Sequence, residues 1–154
     1  MKQHKLPEIE NRKARHSYFI EETLEVGIML AGTEVKSVRA ARVQMGDAHV
    51  EFHKNEAWLE SCHIDEFQMG NRWNHDIHRR RKLLMHKREI AQWSNSVDRK
   101  GYTIIPLKMY FKDGKVKVQI GMCKGKAEHD KRQTKIEQEH KREMDRAMKD
   151  ARYR

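Results

Sequence analysis

Apolar and polar residues alternate in the first part of the chain, from Tyr18 onward. The apolar side chains occupy even positions: Tyr18, Ile20, Leu24, Val26, Ile28 and Leu30. A period of two places such side chains on one face of an extended strand. The pattern therefore predicts one or two half-buried strands, with Gly27 and Gly32 as points of bend and turn.

The pattern then changes to a helical one. Thr33 is a suitable N-cap, and Glu34 carries the charge that the positive end of a helix dipole favours. We predict a short helix over residues 33–42. Its outward side chains are basic: Lys36, Arg39 and Arg42.

Alternation returns over residues 47–53 and 57–64, which predicts two strands joined by a turn at Asn55-Glu56. Residues 65–78 break this pattern and are expected to form a polar loop that holds Trp73. A second helix is predicted over residues 79–94. Its inward side chains recur at helical spacing: Leu83, Leu84, Ile90 and Ala91. Its first turn would carry Arg79-Arg-Arg-Lys82, an unfavourable run at the positive dipole end that suggests a phosphate partner.

Residues 102–122 carry a β-hairpin signal. Asp113-Gly114 between two lysines is typical of a two-residue type I′ turn. That turn predicts an apolar face that pairs Phe111 with Val116, Met109 with Val118 and Leu107 with Ile120. The opposite face then pairs Tyr110 with Lys117 and Lys108 with Gln119. Pro106 cannot donate to a ladder, so its strand should lie at an edge or be irregular there.

The last segment, residues 124–154, contains few residues that could build a core. Its favourable helix formers include the i,i+4 pairs Glu137–Lys141 and Asp145–Lys149. An isolated helix is marginal in water without a packed face. We therefore predict a tail that is disordered when free and helical on a partner. The chain divides into a flexible basic arm (1–15), a folded domain (16–123) and this tail.

The charge of the chain points to a polyanionic partner. Lys and Arg number 33 against 23 Asp and Glu, so the formal net charge is +10, and the basic residues cluster. Such an excess is typical of nucleic-acid-binding proteins. Neither an apolar leader nor a long apolar run is present, which predicts a cytoplasmic protein without a membrane span.

Sites for catalysis or metal binding are poorly supported. Phosphate-binding loops, nucleophile elbows and dinucleotide fingerprints are absent, and no carboxylate pair stands in an apolar setting. His75 and His78 give the best metal candidate, but H-x-x-H without a third ligand is weak. We predict no enzyme activity, no metal and no cofactor. Whether Cys62 and Cys123 pair is left open by the sequence.

Basic residues interleaved with aromatic ones on a strand-rich body favour a small, mostly antiparallel barrel of OB-like architecture. Such barrels bind oligonucleotides through backbone electrostatics and stacking. RNA is favoured over DNA because single aromatic residues such as Trp73 and Tyr110 suit splayed bases. Packing at the edge of the sheet is an equally good explanation for either aromatic residue.

Four strings in order carry a family resemblance: Asn11-Arg-Lys-Ala-Arg-His-Ser-Tyr-Phe-Ile-Glu-Glu22, Gly32-Thr-Glu-Val-Lys-Ser-Val-Arg39, Arg81-Lys-Leu-Leu84 with His86-Lys-Arg-Glu-Ile90, and Gly125-Lys-Ala-Glu-His-Asp-Lys-Arg132. Together they resemble the SmpB family, the SsrA-binding proteins of bacterial trans-translation. The resemblance covers residues 10–132 and extends weakly into the tail. Ala127 departs from the family, which commonly has a second lysine there.

The resemblance implies a closed, OB-like antiparallel β-barrel of about six strands with two to three flanking helices. It also implies binding to transfer-messenger RNA (tmRNA) at its tRNA-like domain. Residues that match family positions for RNA recognition are Asn11, Glu25, Leu84 and Lys117. The predicted RNA-binding set also contains Arg15 and Tyr110. Leu84 has the spacing of a core residue, so a structural role is an equal alternative for it.

The resemblance also implies that the tail enters the ribosomal decoding centre and the empty mRNA channel. Its predicted contact residues are Lys124, Gly125, Lys126, His129, Asp130, Lys131 and Arg132. The expected partners are tmRNA, the ribosome with its small-subunit rRNA and, through tmRNA, elongation factor Tu; the protein itself is expected to be a monomer. A structural ribosomal or other rRNA-binding protein is the main alternative, and an RNA-modifying or RNA-cleaving enzyme is a weaker one.

Overall fold

The computed structural model describes residues 5–153, apart from the side chains of Asn71, Glu128, His129 and Asp130. The strands are β1 (Ile9–Glu10), β2 (Tyr18–Ile28), β3 (Val43–Gln44), β4 (His49–His53), β5 (Glu56–Glu60), β6 (His63–Ile64), β7 (Arg81–Leu84), β8 (Thr103–Lys112) and β9 (Lys115–Gly125). The helices are α1 (Arg12–Ser17), α2 (Gly32–Arg39), α3 (Lys87–Lys100) and α4 (Glu128–Arg152), and a 3₁₀ turn spans Asn71–Trp73.

The main sheet closes on itself. Its strands run in the order β8–β4–β5–β7–β2–β9, and β9 pairs again with β8, so six antiparallel strands complete a ring. β1 adds to β8, and β3 pairs with β6 in a small separate sheet. Ring closure leaves each of the six strands with two neighbours, as a barrel requires. The predicted six-stranded, mainly β architecture with flanking helices is confirmed.

The β8–β9 hairpin forms as its turn predicts. Asp113 and Gly114 both have positive φ, at 52° and 76°, and the pairs Phe111–Val116, Met109–Val118, Tyr110–Lys117 and Lys108–Gln119 are all present. The predicted pairing of Leu107 with Ile120 is wrong. A bulge between Pro106 and Lys108 shifts the register, so Ile120 pairs with Pro106 instead. Leu107 is thereby displaced from the main core and packs in a second, smaller cluster.

Residues 9–15 are not the flexible arm that their polarity suggested. Ile9–Glu10 pairs with Met109 and Lys108, and α1 follows immediately. Asn11 caps α1 by accepting a hydrogen bond from the Ala14 N–H at 3.2 Å. A capping side chain before a run of good helix formers is itself a start signal. Residues 1–4, the beginning of the predicted arm, lie outside the described part.

The predicted helix over 79–94 is wrong in its first half. Residues 81–84 form β7, where burial alternates along Arg81, Lys82, Leu83 and Leu84, and the helix starts only at Lys87. Its N-terminus is fixed by the Glu89 carboxylate, which accepts the His86 N–H at 3.1 Å. The basic run of residues 79–82 therefore does not lie at the N-terminus of a helix. The helix dipole gives no reason to expect a phosphate partner there. Ile90 and Trp93 form the buried face of α3, whereas Ala91 is exposed.

A buried ion pair connects α2 to β7. Glu34 lies in the first turn of α2. Its side chain is not exposed at the helix end; it is fully buried and forms ion pairs with Arg79 and Arg81. Arg81 is also fully buried, and it donates to the carbonyl oxygens of Cys62 at 2.6 Å and Ile77 at 3.1 Å. Glu34 additionally accepts the Ala31 N–H, so Ala31 and not Thr33 stands at the N-cap. Satisfied donors and acceptors are what allow such charges to be buried.

The remaining predicted elements are present with small shifts. β2 runs with its even positions turned inward, and Gly27 lies inside this strand instead of at a bend. The basic side chains of residues 36, 39 and 42 are exposed as predicted. The β4–β5 turn lies one residue earlier than predicted, at Lys54 and Asn55.

The tail forms one continuous helix, α4, and every residue from Lys135 to Tyr153 is exposed. Whether this helix persists in the free protein stays a prediction. The boundary at residue 124 is too early, because β9 continues to Gly125. Among residues 5–153, no helix is long and apolar enough to cross a membrane.

Candidate RNA-binding surface

A single row of paired residues crosses four strands of the ring. Leu84 of β7 pairs with Gly27 of β2, Gly27 pairs with Lys117 of β9, and Lys117 pairs with Tyr110 of β8. Directly paired residues direct their side chains to the same face of a sheet. The register therefore brings Leu84, Lys117 and Tyr110 together on one outer surface, with a glycine between them. We call this row the cross-strand row.

The glycine of the cross-strand row leaves space that Leu84 occupies. A Cβ placed on Gly27 would lie 3.2 Å from both Cβ and Cδ1 of Leu84, which is tighter than ordinary contact. Leu84 itself is 53% exposed. It is therefore a surface residue and not the core residue that its spacing suggested, and its contact with RNA stays a prediction. A shallow groove runs beside it, bounded by Leu30, Val35 and Lys117.

Glu25 lies two residues before Gly27 on the same face of β2. Its carboxylate accepts hydrogen bonds from the Tyr110 hydroxyl and, at 3.1 Å, from the Lys112 ammonium. Because Tyr110 pairs directly with Lys117, this bond attaches Glu25 to the cross-strand row. These contacts leave the Glu25 side chain 37% exposed.

The protonation states on this surface follow from those contacts. The hydrogen bond from Tyr110 lowers the pKa of Glu25, and the bond and charge of Lys112 lower it further. Burial and the adjacent Glu25 carboxylate raise the pKa of Tyr110 to about 12. At neutral pH the surface therefore presents an ionised acceptor and a neutral phenol that donates to it, next to the Lys117 side chain. This combination can bind phosphate, ribose hydroxyls and base amines.

Asn11 and Arg15 differ in what they can contact. The Asn11 side chain is buried: its amide donates to the carbonyls of Pro106 at 2.8 Å and Met45 at 3.0 Å, and its oxygen caps α1. These bonds attach the start of α1 to β8 and to the segment after α2. Arg15 is exposed on α1. Asn11 thus fixes the position of α1, and the exposed Arg15 side chain can contact a ligand directly.

The start of the tail is attached to α1 and β2. Lys124 and Gly125 pair with Phe19 and Tyr18, so both belong to the sheet. Lys126 donates its backbone N–H to Ser17 at 2.9 Å, and its ammonium donates to the Arg15 carbonyl at 3.2 Å and the Thr134 hydroxyl at 3.0 Å. These bonds fix the direction in which α4 leaves the body.

Two aromatic rings accompany these lysines. The Lys124 ammonium lies 4.7 Å from the centroid of the Tyr102 ring, and that of Lys126 lies 5.0 Å from the Phe19 ring. Further along, Lys131 is half-buried and Arg132 is exposed. The side chains of His129 and Asp130, also predicted to contact the ribosome, lie outside the described part.

The sequence matches the SmpB protein family over residues 8–150, which is most of the chain. This chain belongs to the SmpB family. A relative named SsrA-binding protein from Clostridium beijerinckii is 51% identical over 141 residues, 92% of this chain and 90% of that protein. The protein of the same name from Lactobacillus helveticus is 53% identical over 135 residues, 88% of this chain and 89% of the relative.

The fold of this SmpB family member is also similar to a solved one. A chain in the structure described as "tmRNA-SmpB: a journey to the center of the bacterial ribosome" is 45% identical and superimposes with a TM-score of 0.68. The similarity covers 79% of this chain and 86% of the other. The family resemblance carried by the four sequence strings is therefore confirmed.

Sequence reasoning missed two members of this SmpB surface. Gly27 was assigned to a bend, although a glycine inside a strand is also a signal for close approach by a neighbour. Lys112 was seen only as the start of the turn, yet its side chain holds Glu25. Alternation along β8 from Lys108 through Tyr110 places Lys112 on the same face, so the hairpin register could have found it. Among the described residues, no cluster of three His, Cys, Asp or Glu side chains is placed to hold a metal.

Proposed function

We propose that this protein binds tmRNA and delivers it to stalled ribosomes for trans-translation. The observation that carries the proposal is the cross-strand row, which assembles Leu84, Lys117 and Tyr110 on one face in a chain of the SmpB family. The description of the similar solved structure names tmRNA and the bacterial ribosome together with SmpB. The protein acts in the cytoplasm as a monomer, and elongation factor Tu joins it through tmRNA.

The residues of the surface divide the work of recognition. Lys117 binds a phosphate of the tRNA-like domain, since its ammonium lies on the outer face beside an apolar groove. Glu25 cannot bind phosphate; instead it accepts hydrogen bonds from base amines or ribose hydroxyls. Leu84 packs against a base or ribose face. Arg15 adds a further phosphate contact, and Asn11 positions α1 without contacting RNA.

The tail contacts the ribosome and responds to the presence of mRNA. In the decoding centre, the body takes the place of a tRNA anticodon arm, and residues 126–132 contact small-subunit rRNA. α4 then enters the mRNA channel, which is open only when the ribosome lacks mRNA downstream. From Lys135 onward the helix is exposed and can gain contacts inside such a channel, so binding discriminates stalled from translating ribosomes.

The division between body and tail is tested by removing residues after Arg132. We expect the truncated protein to bind tmRNA almost as tightly as the full chain but to fail in tagging stalled products. Filter binding and a reconstituted tagging reaction measure the two properties. Loss of tmRNA binding in the truncated protein would overturn the division of labour.

Binding through the body should depend on salt. If about 6–10 phosphates are contacted, affinity for the tRNA-like domain should fall by about 10³–10⁵ between 50 and 200 mM salt. Lys117→Gln should weaken binding and reduce the slope of log K against log salt by about 1. Lys54→Gln, in the exposed β4–β5 turn, is the matched control and should change neither. A flat salt response of the wild-type protein would contradict the electrostatic account.

A further inference from the structure

Trp73 is an exposed aromatic residue for which the fold provides no packing role. Its side chain is 79% exposed, although the other tryptophans are covered: Trp93 is buried in the core, and Trp58 is half-buried beneath the Arg80 guanidinium at 4.2 Å. Scattered exposed apolar residues are ordinary on a protein surface. The surroundings of Trp73 distinguish it from that ordinary case.

The backbone on both sides of Trp73 is fixed by side-chain hydrogen bonds. The amide of Asn74 closes the loop by accepting the Phe67 N–H at 2.9 Å and donating to the Phe67 carbonyl at 2.7 Å. His75, which is buried, bonds to the Ile64 carbonyl and the Thr33 hydroxyl, each at 2.9 Å. The Trp73 N–H itself donates to Gly70 at 3.0 Å. The indole is therefore presented to solvent from an ordered loop, which lowers the entropic cost of using it to bind a ligand.

The indole borders a groove that shares Leu30 with the groove beside the cross-strand row. Met29, Leu30, Thr33 and Arg79 line this groove together with Trp73, and its volume is about 460 Å³. Leu30 lines this groove and also the groove beside Leu84 and Lys117. An RNA segment bound at the cross-strand row can therefore pass over Leu30 and reach the indole.

The charges around Trp73 suit a nucleotide. The Arg72 guanidinium lies 5.6 Å from the indole ring. The Glu34 carboxylate beneath the groove is neutralised by Arg79 and Arg81. Arg79 remains 41% exposed at the groove. A flat π surface flanked by guanidinium groups is the arrangement that stacks an unpaired base and binds its phosphate.

We infer that Trp73 is a second RNA contact, which stacks an unpaired base of the same tRNA-like domain that binds the cross-strand row. The inference rests on the proposed function and extends the RNA-binding surface past Leu30. The occupant is a base and not an apolar peptide, because Arg79 lines the groove and Arg72 lies beside the indole. The groove also meets, at Leu30, the groove that Lys117 lines.

The test measures binding of the full chain to a synthetic tRNA-like domain of tmRNA. Trp73→Ala should weaken binding about 5- to 150-fold, the range expected for the loss of one base–aromatic stack. Trp73→Phe keeps a stacking ring and should retain most of the affinity. Met69→Ala is the control, since Met69 is exposed nearby but does not line the groove. Unchanged thermal unfolding of all three variants establishes that the fold is intact.

Fluorescence gives an independent readout. Bound RNA should quench the emission of the exposed indole, and most of that quenching should disappear in Trp73→Phe. If Trp73→Ala binds the RNA as tightly as the wild type while Lys117→Gln binds weakly, the inference is overturned and the proposed function stands. If Trp73→Ala impairs only tagging on ribosomes, the indole contacts a different partner and the inference is likewise wrong. If the wild type does not bind the RNA, both fall together.

Discussion

Leu84 lies directly on Gly27, its pairing partner across β7 and β2. The leucine side chain rests on a backbone that has no Cβ, and so it stays flat on the outer face of the ring. A half-exposed leucine in that position offers an apolar surface for a nucleobase or ribose. The position of the Leu84 side chain therefore depends on which residue occupies position 27.

Gly27→Ala should lower the free energy of unfolding by about 1 kcal/mol or more, since the new methyl group displaces a packed neighbour. It should also weaken binding to the tRNA-like domain, because Leu84 is moved from its place in the row. Gly32→Ala is the control, because a Cβ there would meet nothing within 4 Å. Isothermal titration of both variants, with thermal unfolding recorded beside it, makes the comparison. Equal affinity in the Gly27 variant and the wild type would show that the position of Leu84 is irrelevant to RNA.

The bond from Tyr110 to Glu25 should be visible in acid titrations. Glu25 has a folded-state pKa below its ordinary value of 4.5, owing first to the Tyr110 hydroxyl. Its contacts therefore contribute stability above pH 4.5, and this contribution is lost as the pH falls through the lowered pKa. Tyr110→Phe should move the pKa of Glu25 back toward 4.5, as followed by carboxyl ¹³C NMR. Tyr102→Phe removes the equivalent bond to Glu21 and should leave Glu25 unchanged.

Breaking the buried ion pair should cost far more than breaking an exposed one. Glu34→Ala leaves the buried Arg81 guanidinium without its carboxylate, so the free energy of unfolding should fall by about 3–5 kcal/mol in urea denaturation. Asp47→Ala removes the partner of Lys13 in an exposed pair and should have no resolvable effect. A loss below 1 kcal/mol for Glu34→Ala would contradict the structural role assigned to this pair.

Acid should weaken the same ion pair. Burial raises the pKa of Glu34, but bonds from Ala31, Arg79 and Arg81 outweigh it, so the pKa is lowered overall. The contribution of Glu34 is therefore complete above pH 4.5 and disappears as the pH drops through the lowered value. The stability difference between wild type and Glu34→Ala should shrink in urea denaturation curves recorded at progressively lower pH in that range.

Both cysteines should resist modification in the native protein. Burial raises the pKa of Cys62 and of Cys123 to about 11, and each thiol is fully covered. The thiolate is the reactive form, so iodoacetamide at pH 8 should label neither residue until the protein is unfolded. Mass spectrometry of native and urea-treated samples tests this. Rapid native labelling of either thiol would show that its cover opens readily.

The exposed part of α4 should be weakly protected in the free protein. Beyond Thr134 the helix lacks a packed face, and helices of this kind are marginal in water. Hydrogen exchange should show protection near Lys126 and Lys131 and little from Lys135 to Arg152, with protection gained on stalled ribosomes. Full protection of the free helix would refute the expectation that it orders on a partner.

Local chemistry explains which elements could be predicted. Asp113-Gly114 determines the hairpin register because a two-residue turn admits only one pairing, and Tyr110 and Lys117 follow from it. The even-position pattern from Tyr18 similarly predicts β2. In contrast, Arg81-Lys-Leu-Leu84 is too short to separate a strand from a helix by period. Its strand state depends on pairing with β5 and β2, which are distant in sequence.

The candidate surface was predictable only in part for the same reason. Leu84 and Lys117 come from the family resemblance, and Tyr110 from the hairpin, but the glycine that places them in one row appears only when β2 is paired on both sides. The buried Glu34–Arg81 pair joins residues 47 positions apart, and either charge alone resembles a solvated one. The bulge at Leu107 shifts the register by one residue for the rest of the hairpin, from Pro106 back to Thr103.

β9 is a single uninterrupted strand that carries Lys117 near one end and Gly125, where the tail departs, at the other. At about 3.3 Å per residue, the two points stand roughly 26 Å apart, and neighbours on both sides prevent the strand from sliding. Inserting one residue would change the spacing and also turn every following side chain to the opposite face. If the protein works as proposed, the length of β9 sets the span from the cross-strand row to the point where the tail departs, whatever sequence the tail itself carries.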